Sequence, residues 1–419
     1  MNYCNFAAYK TLRMNNQFSY PKERIRTAIF TFFFAQGLCF SSWASRIPNI
    51  KETFESMDLF YWGVILFMIP VGKFVAIPLA GYLVSRLGSR RIVQMSILGY
   101  AAALILIGLA LNIYVLGLCL FCFGIFWNLC DISFNTQGIE VERIYGKTIM
   151  ATFHGGWSLG ACFGALVGFF MILLNITPIH HFLIISVVIL FIVFMGYRYL
   201  QESTPVLDDS GENESSKING FFLLFRKPEK LLLIFGTAGL FGLIVESAMF
   251  DWSGTYFQTV LQVPKTLQIG FLVFMVMMTT GRFLTNYAYS KIGKRNVLIL
   301  AGSLIFVGFY TTALLGKAFD SVALKVIFNS LGFMLVGLGI SSVVPTIYSF
   351  VGTQSKTPVG VALTILSSIS FIGSLIAPLL IGAISQRFSM STAYLIVGLL
   401  GLCIVLIVAT NRNFREKKE

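Results

Sequence analysis

Three polar side chains, spaced as on one face of a helix, interrupt a long apolar run in the first half of the chain. They are Asn128, Asp131 and Asn135, and Asp131 is the one acidic residue between Tyr114 and Gly138. A spacing of i, i+3 and i+7 places the three on one polar stripe. A carboxylate beside two amides can exchange a proton and bind the hydroxyl groups of a small solute. The alternative is hydrogen bonding between packed helices.

The stripe has an aromatic neighbour and a second ionisable group on the next apolar run. Trp127 precedes the first amide, and an aromatic ring beside amides and a carboxylate is typical of a sugar or polyol site. Asp131 lies seven residues before Gly138, and His154 lies seven after Lys147, which predicts similar depths on adjacent helices. A carboxylate near an imidazole can relay protons, and the alternative is a hydrogen bond that fixes packing.

Composition sets the elements that must position these residues. Of 419 residues, 56% are hydrophobic and 12% are charged, and the mean hydropathy is +0.80. So much apolar surface cannot be buried in a water-soluble core, so the solvent of this chain is lipid. Twelve apolar runs with few or no charged residues can cross about 30 Å of hydrocarbon, which predicts an all-α membrane protein. The predicted spans are 27–45, 60–84, 92–111, 114–138, 148–174, 181–199, 230–258, 267–289, 297–316, 322–350, 358–385 and 391–410.

A hydrophilic stretch divides the spans into two sets of six. The predicted organisation is a cytoplasmic N-terminal segment (1–26), a six-helix bundle (27–200), a cytoplasmic inter-bundle loop (201–229), a second six-helix bundle (230–410) and a cytoplasmic tail (411–419). With this topology, 23 of the 31 Lys and Arg residues fall in cytoplasmic segments. Both termini are therefore predicted on the cytoplasmic side of the cytoplasmic (inner) membrane. Topology explains the net charge of +13 without a nucleic-acid partner.

Charged residues inside the spans are the main candidates for function. A charge at the centre of a membrane helix costs roughly 2.5–3.5 kcal/mol, so these side chains are expected to face protein or water. The predicted proton-coupling residues are Asp131, His154 and Glu246. The predicted lining of a substrate cavity is Trp43, Arg46, Lys73, Trp127, Asn128, Asn135, Asp251, Trp252 and Arg282. Lys73 and Arg282 balance Asp131 and Glu246 near mid-membrane, which favours a neutral or zwitterionic solute.

The two halves carry an internal repeat. The loop after the second span reads GYLVSRLGSRR, the loop after the eighth reads NYAYSKIGKRN, and they align at an offset of 205 residues. The repeat predicts two pseudo-symmetric bundles of the same orientation. A further pattern concerns the fifth span, where Gly156, Gly160, Gly164 and Gly168 recur every four residues. This spacing predicts that another helix approaches closely.

Twelve spans in two sets of six, with loops similar to G-x-x-x-D-R-x-G-R-R, resemble the major facilitator superfamily of secondary transporters. The resemblance implies alternating access between the bundles and a monomer. It assigns cytoplasmic gating loops to Gly81, Ser85, Arg86, Gly88, Arg90, Arg91, Ser290, Lys291 and Gly293. In the family an acidic residue at the positions of Ser85 and Ser290 helps to latch the bundles together. Both copies here have serine, which keeps hydrogen bonding and loses the charge.

Asp131 followed four residues later by Asn135 is similar to the fucose-permease-like sugar:proton symporters. The resemblance implies proton-coupled uptake of a sugar-like solute, although Ala44 and Ser45 stand where that branch has a second acid. One alternative is a proton-driven exporter of amphipathic compounds, which the 41 phenylalanines permit. A membrane aspartyl protease using Asp131 and Asp251 would need a GxGD setting that this sequence lacks. The sequence predicts no enzyme, no cofactor and no metal site.

Overall fold

The computed structural model describes residues 20–54, 57–147, 149–201 and 228–414. Most of the predicted N-terminal segment, inter-bundle loop and C-terminal tail therefore lie outside the described residues. Within the described ranges every regular element is helical. The prediction of an all-α membrane fold is confirmed.

Eleven continuous helices in these ranges are long and apolar enough to cross a membrane. The first six are α1 (Lys22–Ala44), α2 (Leu59–Leu87), α3 (Ser89–Gly108), α4 (Ile113–Tyr145), α5 (Met150–Leu173) and α6 (Pro178–Gly196). They are followed by α7 (Lys230–Thr259), the long helix Gly270–Leu314, α10 (Val322–Gln354), α11 (Val359–Arg387) and α12 (Met390–Thr410). A short helix, Ile47–Thr53, follows α1.

Gly293 divides the long helix into two spans. Its backbone has φ 78° and ψ 156°, which is not helical, so residues 270–292 form α8 and residues 294–314 form α9. Gly88, 205 residues earlier, separates α2 from α3 with φ 79° and ψ 147°. Only glycine adopts this conformation readily. The two glycines thus give twelve spans and the same chain reversal in both halves.

Local signals at helix ends explain several boundaries. The side chain of Asp58 accepts a hydrogen bond from the Tyr61 N–H at 2.8 Å and begins α2. Asn112 caps α4 in the same way through the N–H of Val115. These side chains satisfy backbone donors that have no partner inside the helix. These two side chains thereby determine the first residue of α2 and of α4.

The glycine face of α5 packs on α1. A Cβ atom added at Gly160 would collide with the carbonyl oxygen of Phe34, and one at Gly164 would lie 2.9 Å from that of Leu38. The predicted close approach is confirmed. It brings the cavity-facing residues of α1 and α5 together.

Contacts between the two halves are made by few elements. α2 packs on α11, α5 packs on α8, and the short helix Ile47–Thr53 packs on α7. Because the number of spans is even, both ends of the helical region lie on one side of the molecule. We call this side the terminal face and the opposite side the distal face.

Candidate functional site

Polar contacts close the distal face. The carboxylate of Glu52, on the short helix, accepts a hydrogen bond from Gln258 Nε2 at 2.5 Å and pairs with Lys265 Nζ at 3.1 Å. The backbone N–H of Leu59 donates to Gln386 Oε1 at 3.0 Å. Each contact joins the first bundle to the second. Together they bring the two halves into contact at this face.

Four charged side chains near the middle of the spans are partly exposed between the bundles. The exposed fractions are 19% for Lys73, 36% for Asp131, 17% for Glu246 and 27% for Arg282. Since the distal face is closed, we infer that this surface is reached from the terminal face. We call the space that the four residues line the polar cavity.

The first pair of charges belongs to the first bundle. Lys73 Nζ on α2 lies 3.5 Å from Asp131 Oδ2 on α4. The other carboxylate oxygen accepts a hydrogen bond from Gln36 Nε2 on α1 at 2.6 Å. Lys73 Nζ also lies 3.8 Å from the centroid of the Trp127 ring, a cation–π distance. Three helices thus converge on Asp131.

The two asparagines of the stripe are used differently. Asn135 Nδ2 donates to the backbone carbonyl of Asp131 at 2.7 Å, so this bond stays within α4. Asn128 Oδ1 is buried and has no hydrogen-bond partner within the described part of the chain. Of the three polar residues, only Asp131 bonds to another helix through its side chain, whereas the Asn135 amide bonds within α4.

The second pair of charges also contacts the other bundle. Arg282 Nη2 on α8 lies 3.1 Å from Glu246 Oε1 on α7, within the second bundle. Arg282 Nη1 donates to the hydroxyl of Ser158 on α5 at 2.7 Å. The hydroxyl of Thr279 donates to the Ser158 carbonyl at 3.2 Å. The guanidinium group lies 5.5 Å from the centroid of Trp157. Arg282 therefore links the bundles at the cavity.

An aromatic cluster lies one helical turn to the distal side of these charges. Phe40 packs with ring centroids 4.6 Å from Trp127, 5.8 Å from Trp157 and 4.8 Å from Phe250. Phe250 packs in turn on Phe274, at 5.8 Å. Because Phe250 and Phe274 belong to the second bundle, the cluster spans both halves. It forms the apolar floor of the cavity.

His154 and Asp131 lie beside the same stretch of α1 but do not bond to each other. The prediction of similar depths took the fourth helix to end at Gly138, but α4 continues beyond that residue. The α1 residues that His154 and Asp131 contact, Phe33 and Gln36, are three positions apart, about 4.5 Å along the helix. Among the described residues, no hydrogen bond joins the two side chains. The ring of His154 packs edge-on against Phe33, with centroids 5.4 Å apart.

The other predicted cavity residues lie towards the distal face. Trp43 and Trp252 have no exposed surface, and neither indole N–H has a hydrogen-bond partner in the described ranges. In this conformation they belong to the packed core of each bundle. Asp251 is partly buried and makes no hydrogen bond or ion pair with any described residue.

Arg46 is 2% exposed and sits between α1 and the short helix. Its Nε donates to His181 Nδ1 at 3.2 Å, Nη1 to Asn49 Oδ1 at 3.2 Å and Nη2 to the Ile176 carbonyl at 2.7 Å. Burial lowers the pKa of this guanidinium to about 10. Arg46 thus joins the distal ends of α1 and α6 within one bundle.

The terminal-face loops repeat their contacts at the same offset of 205 residues. The Ser85 hydroxyl donates to the Tyr82 carbonyl at 2.8 Å, and the Ser290 hydroxyl donates to the Tyr287 carbonyl at 2.8 Å. Both hydroxyls therefore bond to their own helices. Arg86 lies 5.4 Å from the ring of Tyr82, matching Lys291 at 5.7 Å from Tyr287.

The remaining loop residues differ in their surroundings. The guanidinium of Arg90 lies 4.9 Å from the ring centroid of Tyr197, at the end of α6. Arg91 is exposed, and no atom lies within 4 Å of a Cβ built at Gly81. Arg90 therefore holds the start of α3 against the end of α6.

Three cavity residues were missed in the sequence. Gln36 and Ser158 bind the two charged pairs, and Trp157 packs under Arg282. Gln36 is an isolated amide in an apolar run, and this was a usable signal. Ser158 had none, because its role depends on α5 meeting a helix of the other bundle.

Comparisons with known proteins give one family. The family model described as Major Facilitator Superfamily matches residues 28–361. An uncharacterised MFS-type transporter of Yersinia pestis is 29% identical over 378 residues, covering 89% of this chain and 92% of that protein. The membrane protein MosC of Rhizobium meliloti is 28% identical over 384 residues, covering 91% of this chain and 89% of MosC.

Solved structures share the fold. A mutant of the nucleoside transporter NupG has a TM-score of 0.75 at 12% identity, covering 92% of this chain and 99% of that one. A D-xylose-proton symporter has a TM-score of 0.72 at 14% identity, covering 92% and 97%. With the family model spanning most of the helical region and two repeated bundles around a polar cavity, the chain belongs to the Major Facilitator Superfamily and is a multi-pass membrane transporter, not an enzyme.

Proposed function

We propose that this transporter imports a small polar solute together with protons, by alternating access of the cavity to the two sides of the cytoplasmic (inner) membrane. Both termini lie in the cytoplasm, so the terminal face is the cytoplasmic face, and the protein acts as a monomer. The solute is sugar-like and either neutral or zwitterionic. Asp131 is the main coupling group.

The observation that carries this proposal is the environment of Asp131. Its carboxylate is shared between Lys73 and Gln36 and retains 36% exposed surface in the cavity. Protonation would remove its charge and weaken its attraction for Lys73, which then becomes available to a solute. Loss of the proton to the cytoplasm restores the ion pair. In the proposed cycle, the Lys73–Asp131 ion pair is the arrangement that follows release of the solute and the proton.

Glu246 is the second candidate coupling group. It faces the same cavity and pairs with Arg282, and its side chain is less exposed than that of Asp131. Protonation of Glu246 would release Arg282 from its own bundle and leave it bonded to Ser158. Proton binding at the second pair therefore changes a contact between the bundles. This is the kind of differential contact that a conformational equilibrium requires.

The cavity chemistry supports the class of solute. Two positive and two negative side chains leave no excess of either sign, which disfavours a strongly charged substrate. The rings of Trp127 and Trp157 at the floor suit a flat or ring-shaped solute, and the charged groups above them suit hydroxyl groups. The structural neighbours named as xylose and nucleoside transporters agree with a polar ring.

Transport by purified protein in liposomes tests the proposal. An inward proton gradient is expected to drive accumulation of a labelled sugar, nucleoside or zwitterion from a panel. Asp131→Asn is expected to abolish accumulation and to retain exchange of solute at equal concentrations. Asp58→Asn is the matched control, because asparagine also caps a helix and residue 58 lies outside the cavity. Accumulation by Asp131→Asn equal to wild type at every pH would contradict the proposal.

The aromatic floor favours one further candidate, a proton-driven exporter of amphipathic compounds. Phe40, Trp127, Trp157 and Phe250 can contact apolar ligands of varied shape. In inverted vesicles an exporter accumulates a lipophilic dye when the lumen is acidified. The same preparation shows no dye uptake if the protein is an importer of polar solutes.

A further inference from the structure

A groove lies between the start of α1 and the end of α6, away from the central cavity. Its volume is about 450 Å³. Residues that line it include Glu23, Arg24, Thr27, Phe191, Met195 and Tyr199. The neighbouring surface of α6 is strongly exposed and apolar, with Phe191 63% and Phe194 80% exposed. Such a surface on a membrane span faces lipid, so the groove opens to the bilayer.

The groove changes from polar to apolar along its length. Arg24 and Tyr199 lie at its terminal end, and Ala28, Ile192 and Met195 line its deeper part. Arg24 and Thr31 are about 10 Å apart along α1. Over this distance the surroundings of the helix change from the membrane interface to the hydrocarbon. A ligand that fits has a polar head and an apolar tail.

The polar end carries an excess of positive charge. Arg24 and Glu23 line the groove, and three more basic residues (Lys22, Arg26 and Arg198) are each next in the chain to a lining residue. Tyr199 contacts two of these basic residues. The guanidinium of Arg198 lies 4.8 Å from the Tyr199 ring centroid, and Arg24 Nη1 donates to the Tyr199 hydroxyl at 3.4 Å. In the described residues, no carboxylate lies within ion-pair distance of Arg24 or Arg198. Basic pockets between helices at the cytoplasmic side bind anionic lipid head groups.

The corresponding helices of the second bundle end in an aromatic contact. Phe414, just after α12, is fully buried, with its ring 4.6 Å from Phe235 of α7 and 5.5 Å from Phe350 of α10. The residue that precedes α7 is Glu229, which bonds Ser355, Lys356 and Thr357. In the first bundle Leu200 holds the place that corresponds to Phe414, four residues after its helix ends, and it is 3% exposed. The two bundles therefore bury side chains of different size here, and their residues beside the first helix differ in charge.

We propose that the α1–α6 groove binds one anionic phospholipid. Its phosphate lies beside Arg24 and Arg198, and one acyl chain follows Phe191, Ile192 and Met195. The apolar depth of the groove excludes a free anion, and the basic rim favours an anionic over a zwitterionic head group. The lipid would stabilise the start of α1, the helix that presents Gln36 to the cavity.

Native mass spectrometry of the full-length protein in detergent tests the site with added phosphatidylglycerol or phosphatidylcholine. We expect phosphatidylglycerol to bind more tightly and to raise the melting temperature more. Arg24→Gln with Arg198→Gln should weaken phosphatidylglycerol binding roughly 30-fold, which is about 1 kcal/mol per basic residue. Arg143→Gln is the control, since Arg143 is an exposed base at the same face and pairs with Glu140.

A second variant tests the apolar part of the groove. Thr27→Trp leaves every charge in place and should fill the path of the acyl chain, so bound phosphatidylglycerol should fall as far as in the arginine variant. Sodium phosphate should not raise the melting temperature. Equal stabilisation by phosphate and phosphatidylglycerol, or unchanged lipid binding in both variants, would overturn the proposal.

Discussion

The two bundles have the same backbone at their terminal-face loops and different charge contacts in the cavity. Gly88 and Gly293 adopt nearly identical dihedral angles. In the cavity, Lys73 and Asp131 pair within the first bundle, whereas Arg282 contacts both bundles. The loops are a property of the repeated fold, and the cavity charges are particular to each half.

Breaking the two ion pairs should therefore have different consequences for the movement of the bundles. The first can break or form without any movement of one bundle against the other. The second includes a hydrogen bond to Ser158 across the α5–α8 contact, so separating those helices must break it. Charge changes at Arg282 and Glu246 should therefore affect the conformational equilibrium more than equal changes at Lys73.

The largest expected effect is that of Arg282→Met. Removal of this guanidinium leaves Glu246 without its counter-charge and should destabilise the protein by about 3 kcal/mol. Lys73→Met is the matched change in the first bundle, and it should cost below about 1 kcal/mol because Asp131 is better exposed. Melting temperature in detergent measures both. Equal losses for the two variants would contradict the comparison.

A control for Arg282→Met separates charge from packing. The double variant Glu246→Gln with Arg282→Gln has no unpaired charge, so it should recover most of the melting temperature. It should not recover proton-driven transport. If the double variant is as unstable as Arg282→Met, the loss comes from packing and not from the uncompensated carboxylate.

An intermediate effect is expected from alanine at the two loop glycines. Gly88→Ala and Gly293→Ala each force a side chain into a backbone region used by glycine, at a cost of about 1–3 kcal/mol. Because the two dihedral pairs match, the two losses in thermal stability should be alike. Gly81→Ala is the control, since a Cβ there meets no atom within 4 Å. A clear difference between residues 88 and 293 would show that the repeat is not energetically equivalent.

Apart from the Lys73→Met comparison, the smallest effect is expected for Ser158→Ala. It removes a hydrogen bond to a charged donor, which contributes about 1.5 kcal/mol, or roughly tenfold in a conformational equilibrium. Spin labels on α2 and α11 at the distal face should report more of the distal-open state. Ser158→Thr keeps the hydroxyl and should behave as wild type. No change in the label distances would mean that the bond does not affect the equilibrium.

Sequence patterns were sufficient for the fold because hydropathy and glycine spacing act over whole helices. Twelve spans, the repeat and the α1–α5 contact follow from such patterns. The end of α4 could not be predicted from hydropathy, because the helix continues in polar residues beyond the hydrocarbon. Glu142 there accepts the N–H groups of Ile149 and Met150, each at 2.7 Å, and thereby begins α5. Such a cap cannot be recognised until both helices are placed.

The candidate site was predictable only as a set of residue types. The four central charges were identified because charge in a membrane span is costly. Their pairing was not, since it depends on how far each helix is rotated and on which neighbour it meets. Trp43 and Trp252 illustrate the limit. The sequence pattern of an aromatic residue near a polar one is the same whether the aromatic side chain packs into the bundle or lines the cavity.

The contacts that close the distal face have a consequence for how salt acts on the closed conformation. Glu52 and Lys265 keep 39% and 56% of their side-chain surface exposed. An ion pair so well hydrated contributes below about 1 kcal/mol, which is roughly a fivefold bias in population. The hydrogen bonds of Gln258 and Gln386 and the packing of α2 on α11 must therefore supply the rest of the closure. Salt should consequently change the opening of the distal face only slightly, because most of these contacts carry no net charge.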